Sequence, residues 1–362
     1  MPETRYQLRI LDTSGTLLAV LTHWRSLSYE RRVNNVGVLQ LVMNCDDERV
    51  GLFDTDVLIE VWRKVSGEDW YRDFTGLHRT EYNALEVDGK PTFTAYARGP
   101  LDLLARRILL GYAGTSYTRK TGAAESVFKS LVEEQAVSGE IARTITGLGV
   151  APNSGGGNNI TVQRAWRGLL EVLQEYAGDV GGGDFDLVNT DNGTWEFRWY
   201  TGQLGTDRTS GNGVVPPVIF ATGFGNMRLP VYGLARAGEI NAVTVGGQGT
   251  EDERAIVTRT DEAAIAASVW NRCEGFRNAS GNMTVDGLNA ADAALEEGQA
   301  REKFDFAIVQ AGPWLYGRDY DLGDLVTCRF GTIERDKKMV AVRINVTPAG
   351  ERVEVETADV PR

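Results

Sequence analysis

The sequence predicts an α+β protein that is mainly β, with two antiparallel β domains, an intervening helical block and a helical insertion. Three observations carry this. Residues alternate apolar and polar along the first hundred positions and again near the carboxyl end, as half-buried strands do. Apolar residues recur three and four apart between about residues 100 and 177, the spacing of one helix face. The 42 glycines among 362 residues suit a chain rich in turns.

Taken in order, Tyr6, Leu8 and Ile10 point one way while Gln7 and Arg9 point the other, and Asp12 to Gly15 forms a turn. Leu17–Leu21, Ser26–Val33, Val38–Met43, Val57–Arg63, Tyr71–Tyr82 and Thr92–Ala97 read as further strands, giving a first β domain over residues 1–99. Pro100 sits where a first helical turn tolerates proline, and Leu101, Leu104 and Ile108 follow on one face. Ala124, Val127, Phe128 and Leu131 make a second face. Trp166, Leu169, Leu170, Leu173 and Ala177 make a third, ending at Gly178, and all three stripes are expected to be core. The run from Asn153 to Asn159 reads as a flexible loop. A hairpin about Asn192-Gly193 joins Phe185–Val188 to Trp195–Tyr200 and completes a mixed domain over residues 100–201.

The Gly- and Pro-rich run from Gly202 to Pro217 reads as a junction. Strand character returns at Val218–Ala221, Met227–Leu234, Ile240–Val245 and Ala255–Thr260, and Val340, Val342, Ile344, Val346, Val353 and Val355 alternate with polar residues near the end. These place a second β domain over residues 202–260 and 301–362. Helices expected from Asp261 to about Cys273 and from Ala290 to Ala300 form an insertion over residues 261–300.

Acidic residues outnumber basic ones by 50 to 38, a net charge of −12, which disfavours tight nucleic-acid binding. No apolar stretch approaches the roughly 20 residues that span a bilayer, and the amino terminus lacks a secretory pattern, so synthesis in the cytoplasm is expected. Cys45, Cys273 and Cys328 lack any close-spaced pairing and read as buried thiols.

Few residues suggest chemistry. His23 and His78 stand alone, each read within a strand, too few for a metal or catalytic cluster. Ser116 lies in Gly114-Thr-Ser-Tyr-Thr118, which is not a nucleophile elbow, and the runs Gly155–Gly157 and Gly181–Gly183 lack the Lys-Ser/Thr of a phosphate loop. Asp319, Asp321 and Asp324 resemble half of a calcium loop without its closing glutamate, and a turn is the favoured reading. Trp195, Trp199 and Tyr200 could stack on sugars, although their spacing favours a core strand face. Carboxylate pairs for glycoside hydrolysis are set by separation in space, which sequence does not give. No catalytic residue, metal or cofactor is expected, and the chain is read as not an enzyme.

Three stretches carry a resemblance. Tyr29-Glu-Arg-Arg-Val-Asn-Asn-Val-Gly37 before Val38-Leu-Gln-Leu41 holds a turn from Asn34 to Gly37. Asn241-Ala-Val-Thr-Val-Gly-Gly-Gln-Gly249, with its glycines Gly246, Gly247 and Gly249, is followed by Glu253-Arg254 and by Cys273-Glu-Gly-Phe-Arg-Asn-Ala279. Tyr316-Gly-Arg-Asp-Tyr-Asp-Leu-Gly-Asp-Leu-Val326 places Asp321, Gly323 and Asp324 at a turn into the closing strands. In order and spacing the chain resembles the Gp37-like siphovirus tail proteins, themselves similar to phage baseplate hubs and to the amino-terminal part of tail-associated lysins. The resemblance implies two tube-like β domains and a homotrimer that presents a pseudo-six-fold ring at the distal end of a virion tail. It further implies tail-tube, distal-tail and tip or receptor-binding proteins as partners, with DNA only in transit. The sequence ends at Arg362 soon after its last strand, so no appended hydrolase is expected. The competing readings are a cell-wall carbohydrate-binding tail protein and a hydrolase using Asp and Glu.

Overall fold

The computed structural model describes residues 4–86, 89–111, 115–191, 193–249, 254–279, 283, 286–310 and 314–360. Gly114, Asn192 and Glu253, singled out in the sequence, lie outside these. The fold is α+β and mainly β, as the alternating pattern predicts. The chain divides into two compact units, Met1–Arg228 with Ala307–Arg362, and Leu229–Phe306.

The larger unit is built on a 12-stranded sheet. Arg5–Leu11 lies between Leu17–Leu21 and Leu58–Lys64, and Tyr71–Leu85 pairs with both Leu58–Lys64 and Pro91–Arg98. Pro91–Arg98 pairs with Val38–Asn44, which pairs with Ser26–Arg32. The long strand Ile333–Thr347 then docks on Ser26–Arg32, setting Ile344 opposite Tyr29 and Val346 opposite Leu27, while its other edge takes Gly350–Asp359. Alternation puts Leu27, Tyr29, Val342 and Ile344 inside. Leu325–Phe330 pairs antiparallel with Ile333–Lys338 and parallel with the short strands Asp207–Arg208 and Ile219–Ala221.

Within the same unit a second layer shares a core with Leu58 and Leu77 of the sheet. Ala124–Val132 presents Val127, Phe128 and Leu131 inward, and Leu169–Glu175 presents Leu169, Leu170 and Leu173. Gly183–Asp191 and Thr194–Thr201 form a hairpin whose Phe185, Phe197, Trp195 and Trp199 complete the core. Phe128 meets Phe185 edge-on at 5.7 Å and Trp199 at 4.9 Å, contacts worth about 0.5–1.5 kcal/mol each beyond area burial. Helices this short are marginal alone, so this docking holds them.

Two helical expectations in the larger unit are corrected here. The helix after Pro100 is a single turn, Asp102–Ala105, because the chain then runs extended, with Ile108 bridging Gly168 and Leu109 donating to the Arg167 carbonyl. Trp166 is not core: it is 69% exposed, with φ at 61°, and the helix begins only after Gly168.

In the smaller unit Ala242–Gly246 is the central strand, antiparallel to Ile256–Thr260 and parallel to Glu274–Asn278. The helix Asp286–Glu297 covers it, with Ala291 and Ala294 packed on Val243 and Val245. The helix expected from Asp261 to Cys273 is one turn, Glu262–Ile265, capped by the Asp261 side chain on the Ala264 N–H. Asn271 then donates to the Ala264 carbonyl, and the chain leaves as a strand. A ribbon of Met227–Ala235 with Arg301–Ile308 completes the fold.

Candidate functional site

The turn residues of the first and third stretches meet around a set of buried charges inside the larger unit. Asn34, at φ 55°, turns the chain between Ser26–Arg32 and Val38–Asn44. Its Nδ2 donates to Asp184 at 2.9 Å, and its Oδ1 accepts the Phe185 N–H at 2.7 Å. Gly37 is not in the left-handed region, and Asn34, three residues earlier, is. A Cβ at Gly37 would lie 2.6 Å from the Glu30 carbonyl and 2.7 Å from the Phe74 ring, so glycine is required for close approach.

In the third stretch Asp321 accepts from the Leu322 N–H and pairs with Arg31 at 2.7 Å. Gly323 has φ 87° and donates to the Met339 carbonyl. Asp324 gathers the Thr206 N–H, the Asp321 N–H and Arg208, while burial pushes its carboxyl above the usual range. Asp319 caps the Leu315 N–H. Each of the three aspartates thus braces a turn. Among the described residues no group of three or more His, Cys, Asp or Glu is placed to hold a metal ion.

The second stretch stands in the smaller unit. Asn241 is buried, accepting from the Cys273 N–H and donating to Asn271 O and Glu239. Gly246 leaves room for Arg254 and Phe276, Gly247 for Met283, and Gly249 has φ 109°.

Two arginines that sequence reasoning passed over organise the larger unit. Arg31 reaches Asp73 at 2.9 Å, Asp321 and the Tyr316 hydroxyl, while Tyr29 donates to Asp73 at 2.6 Å. Burial raises the Tyr29 and Tyr316 phenols well above their ordinary values. Arg63 is 1% exposed and binds Glu351 at 3.0 Å, the Tyr6 and Tyr71 hydroxyls and the Tyr316 carbonyl. Its fork of donors is fully employed, which is how a buried guanidinium is tolerated. A signal existed in the sequence: Arg63 shares parity with Ile59 and Val61, Arg31 with Leu27 and Tyr29, and Glu351 with Val353, so each belongs to the inward face of its strand. A cavity of about 200 Å³ opens beside Arg31, Arg72, Asp73 and Asp186, and burial raises the Asp186 carboxyl.

The Gly-rich run is a loop, and it is pinned. Glu125, buried on its helix, accepts the Ser154 and Gly156 N–H groups, the Ser154 hydroxyl and Lys129. Against the opposing effect of burial, these donors lower its carboxyl to about 2. Trp195 and Trp199 are 6% and 8% exposed, so they are core and offer no stacking face. His78 lies buried in its strand beside Phe53, whereas His23 is in an exposed loop and not in a strand. Of the three free cysteines only Cys328 is buried, its thiol pushed up to about 12 by burial, while Cys45 and Cys273 are half-buried because each lies at an element end.

This arrangement of sheet, packed helical layer and inserted unit is the fold of phage tail proteins. It is similar to a tail protein from Neisseria meningitidis at 15% identity and TM-score 0.57, with 98% of this chain and 96% of that chain covered. It is similar to the prophage MuSo2 tail protein from Shewanella oneidensis (10%, TM-score 0.57, 99% and 98% covered) and to prophage tail protein gp18 from Listeria monocytogenes (11%, TM-score 0.57, 99% and 95% covered). The profile of the siphovirus ReqiPepy6 Gp37-like proteins matches residues 7–356, and the chain belongs to that family. No curated protein sequence matches it.

Proposed function

We propose that this chain is a structural hub at the distal end of a siphovirus tail, a homotrimeric ring that joins the hexameric tube to the tip and passes DNA during ejection. Membership of the Gp37-like family over residues 7–356 is the observation that carries this reading. In it, residues 1–99 and the paired segments 202–260 and 301–362 supply two tube-like β modules. Residues 100–201 form a mixed block between them and 261–300 an insertion. The partners are other copies of the chain, tube and distal-tail proteins, and tip or receptor-binding proteins. The net charge of −12 suits a conduit, because an acidic wall releases no counterions on meeting DNA and so does not hold it. The role is structural and not catalytic: the aspartates that looked most like ligands are spent on turns. The carbohydrate-binding alternative loses its main support with Trp195 and Trp199 in the core. Reconstruction of the virion tail tests the proposal. Three copies in a ring at the distal end are expected, and six copies per ring along the tube, or absence from the virion, would overturn it.

A further inference from the structure

Asn34, Asp184 and Lys338 come from three distant parts of the chain and converge on one carboxylate. The Lys338 Nζ lies 2.7 Å from the Asp184 Oδ1 and 2.6 Å from Oδ2. The Asn34 Nδ2 donates to the same Oδ1 at 2.9 Å, and the Leu204 N–H donates to Oδ2 at 2.7 Å. Amine and carboxamide are therefore neighbours across a shared oxygen. The carboxamide orientation is fixed, since exchanging its O and N would break both its bond to Asp184 and the one its Oδ1 accepts from the Phe185 N–H at 2.7 Å. The Asp184 and Lys338 side chains are 0% and 7% exposed, so water competes little, while Asn34 lies half-buried at a turn from which a small product can leave.

We propose that this is an autocatalytic cross-linking site, forming an amide bond between the Lys338 Nζ and the Asn34 Cγ. Lys338 is the nucleophile, Asn34 the electrophile and Asp184 the acid–base group, and the Phe185 N–H lies where the oxyanion develops. Asp184 accepts a proton from Nζ, which attacks Cγ and drives the carbonyl electrons onto Oδ1. Asp184 passes that proton to Nδ2 as the Cγ–Nδ2 bond breaks, takes the surplus proton from the new amide nitrogen and yields it to the departing ammonia, which restores its carboxylate. One C–N bond forms and one breaks. The lysine ammonium is replaced by ammonium in solution, and nothing is oxidised or reduced. The bond would tie the turn after Ser26–Arg32 to the strand Ile333–Thr347, which already pair at Val33 and Val340.

This inference stands apart from the hub reading, since it concerns one folded chain. Intact mass spectrometry of the purified full-length protein tests it. The wild type is expected about 17 Da below its sequence mass, the loss of one ammonia, with a branched tryptic peptide joining the segments of Asn34 and Lys338. Lys338→Arg keeps the charge and removes the nucleophile, and is expected at its full sequence mass with no branched peptide. A folded wild-type chain at full sequence mass, or a mass loss that persists in Lys338→Arg, would overturn the proposal.

Discussion

Gly37 shows how a residue can be indispensable for a reason other than its backbone angle. The left-handed turn belongs to Asn34, and Gly37 is set by what surrounds it: a carbonyl on one side, an aromatic ring on the other and the Gly99 N–H bonded to its own carbonyl. Gly37→Ala is therefore expected to cost about 1–3 kcal/mol in chemical denaturation, as overpacking does. Gly51, with open space where its Cβ would stand, is the control, and Gly51→Ala is expected to change stability by less than about 0.5 kcal/mol. Arg63 is the opposite case, a charge that the interior accepts because every donor is used. Arg63→Met strands Glu351 and three oxygens of tyrosines, and a loss of about 3–5 kcal/mol is expected. Adding Glu351→Leu should recover part of it, and a double-mutant cycle measures how much.

At the scale of elements, one carboxylate gathers the donors of Ser154 and Gly156 in the Asn153–Asn159 loop. The Glu125 carboxyl is held near 2 in the fold against an ordinary 4.5, so its contribution is complete above about pH 4.5 and is lost as pH falls toward 2. Glu125→Gln is expected to lower stability at pH 7 by on the order of 2 kcal/mol, with wild type and variant converging in acid. Equal pH profiles for the two proteins would refute the clamp. This clamp also marks the limit of what the residues reveal. Glycines at 155 to 157 announce a loop, but nothing local announces that a glutamate thirty residues earlier will fix it. Strands were legible because alternation is local: Arg5–Leu11 and the second half of Ile333–Thr347 carry it plainly. Their partners were not, because the pairing of Ser26–Arg32 with Ile333–Thr347 is settled by which edges meet in space. Helices misled where an apolar stripe crossed a turn, as at Trp166, whose spacing matched a helix that starts only after Gly168. Of the candidate site, the turn aspartates could be read, and the buried arginines could have been read from strand parity.

For the whole molecule, the acidic balance and the turn-bound aspartates lead to two measurements. Assembled tails should not retain double-stranded DNA at low salt, where any basic lining would bind it most strongly. Asp319→Asn, Asp321→Asn and Asp324→Asn, like the wild type, should leave host cell walls undegraded in a zymogram. Degradation by wild type that one of these changes abolishes would replace the structural reading with an enzymatic one. The junction at Arg63 carries a mechanical meaning as well. Thr4 and Glu351 are 347 positions apart in sequence yet bonded at 2.9 Å, and Arg63 grips the same carboxylate. Tension applied at these two places would pass through this clip and leave the intervening chain unloaded. A tail component threaded this way should yield in a single abrupt step when pulled between residues 4 and 351, and only after the clip opens would the rest of the chain feel the force.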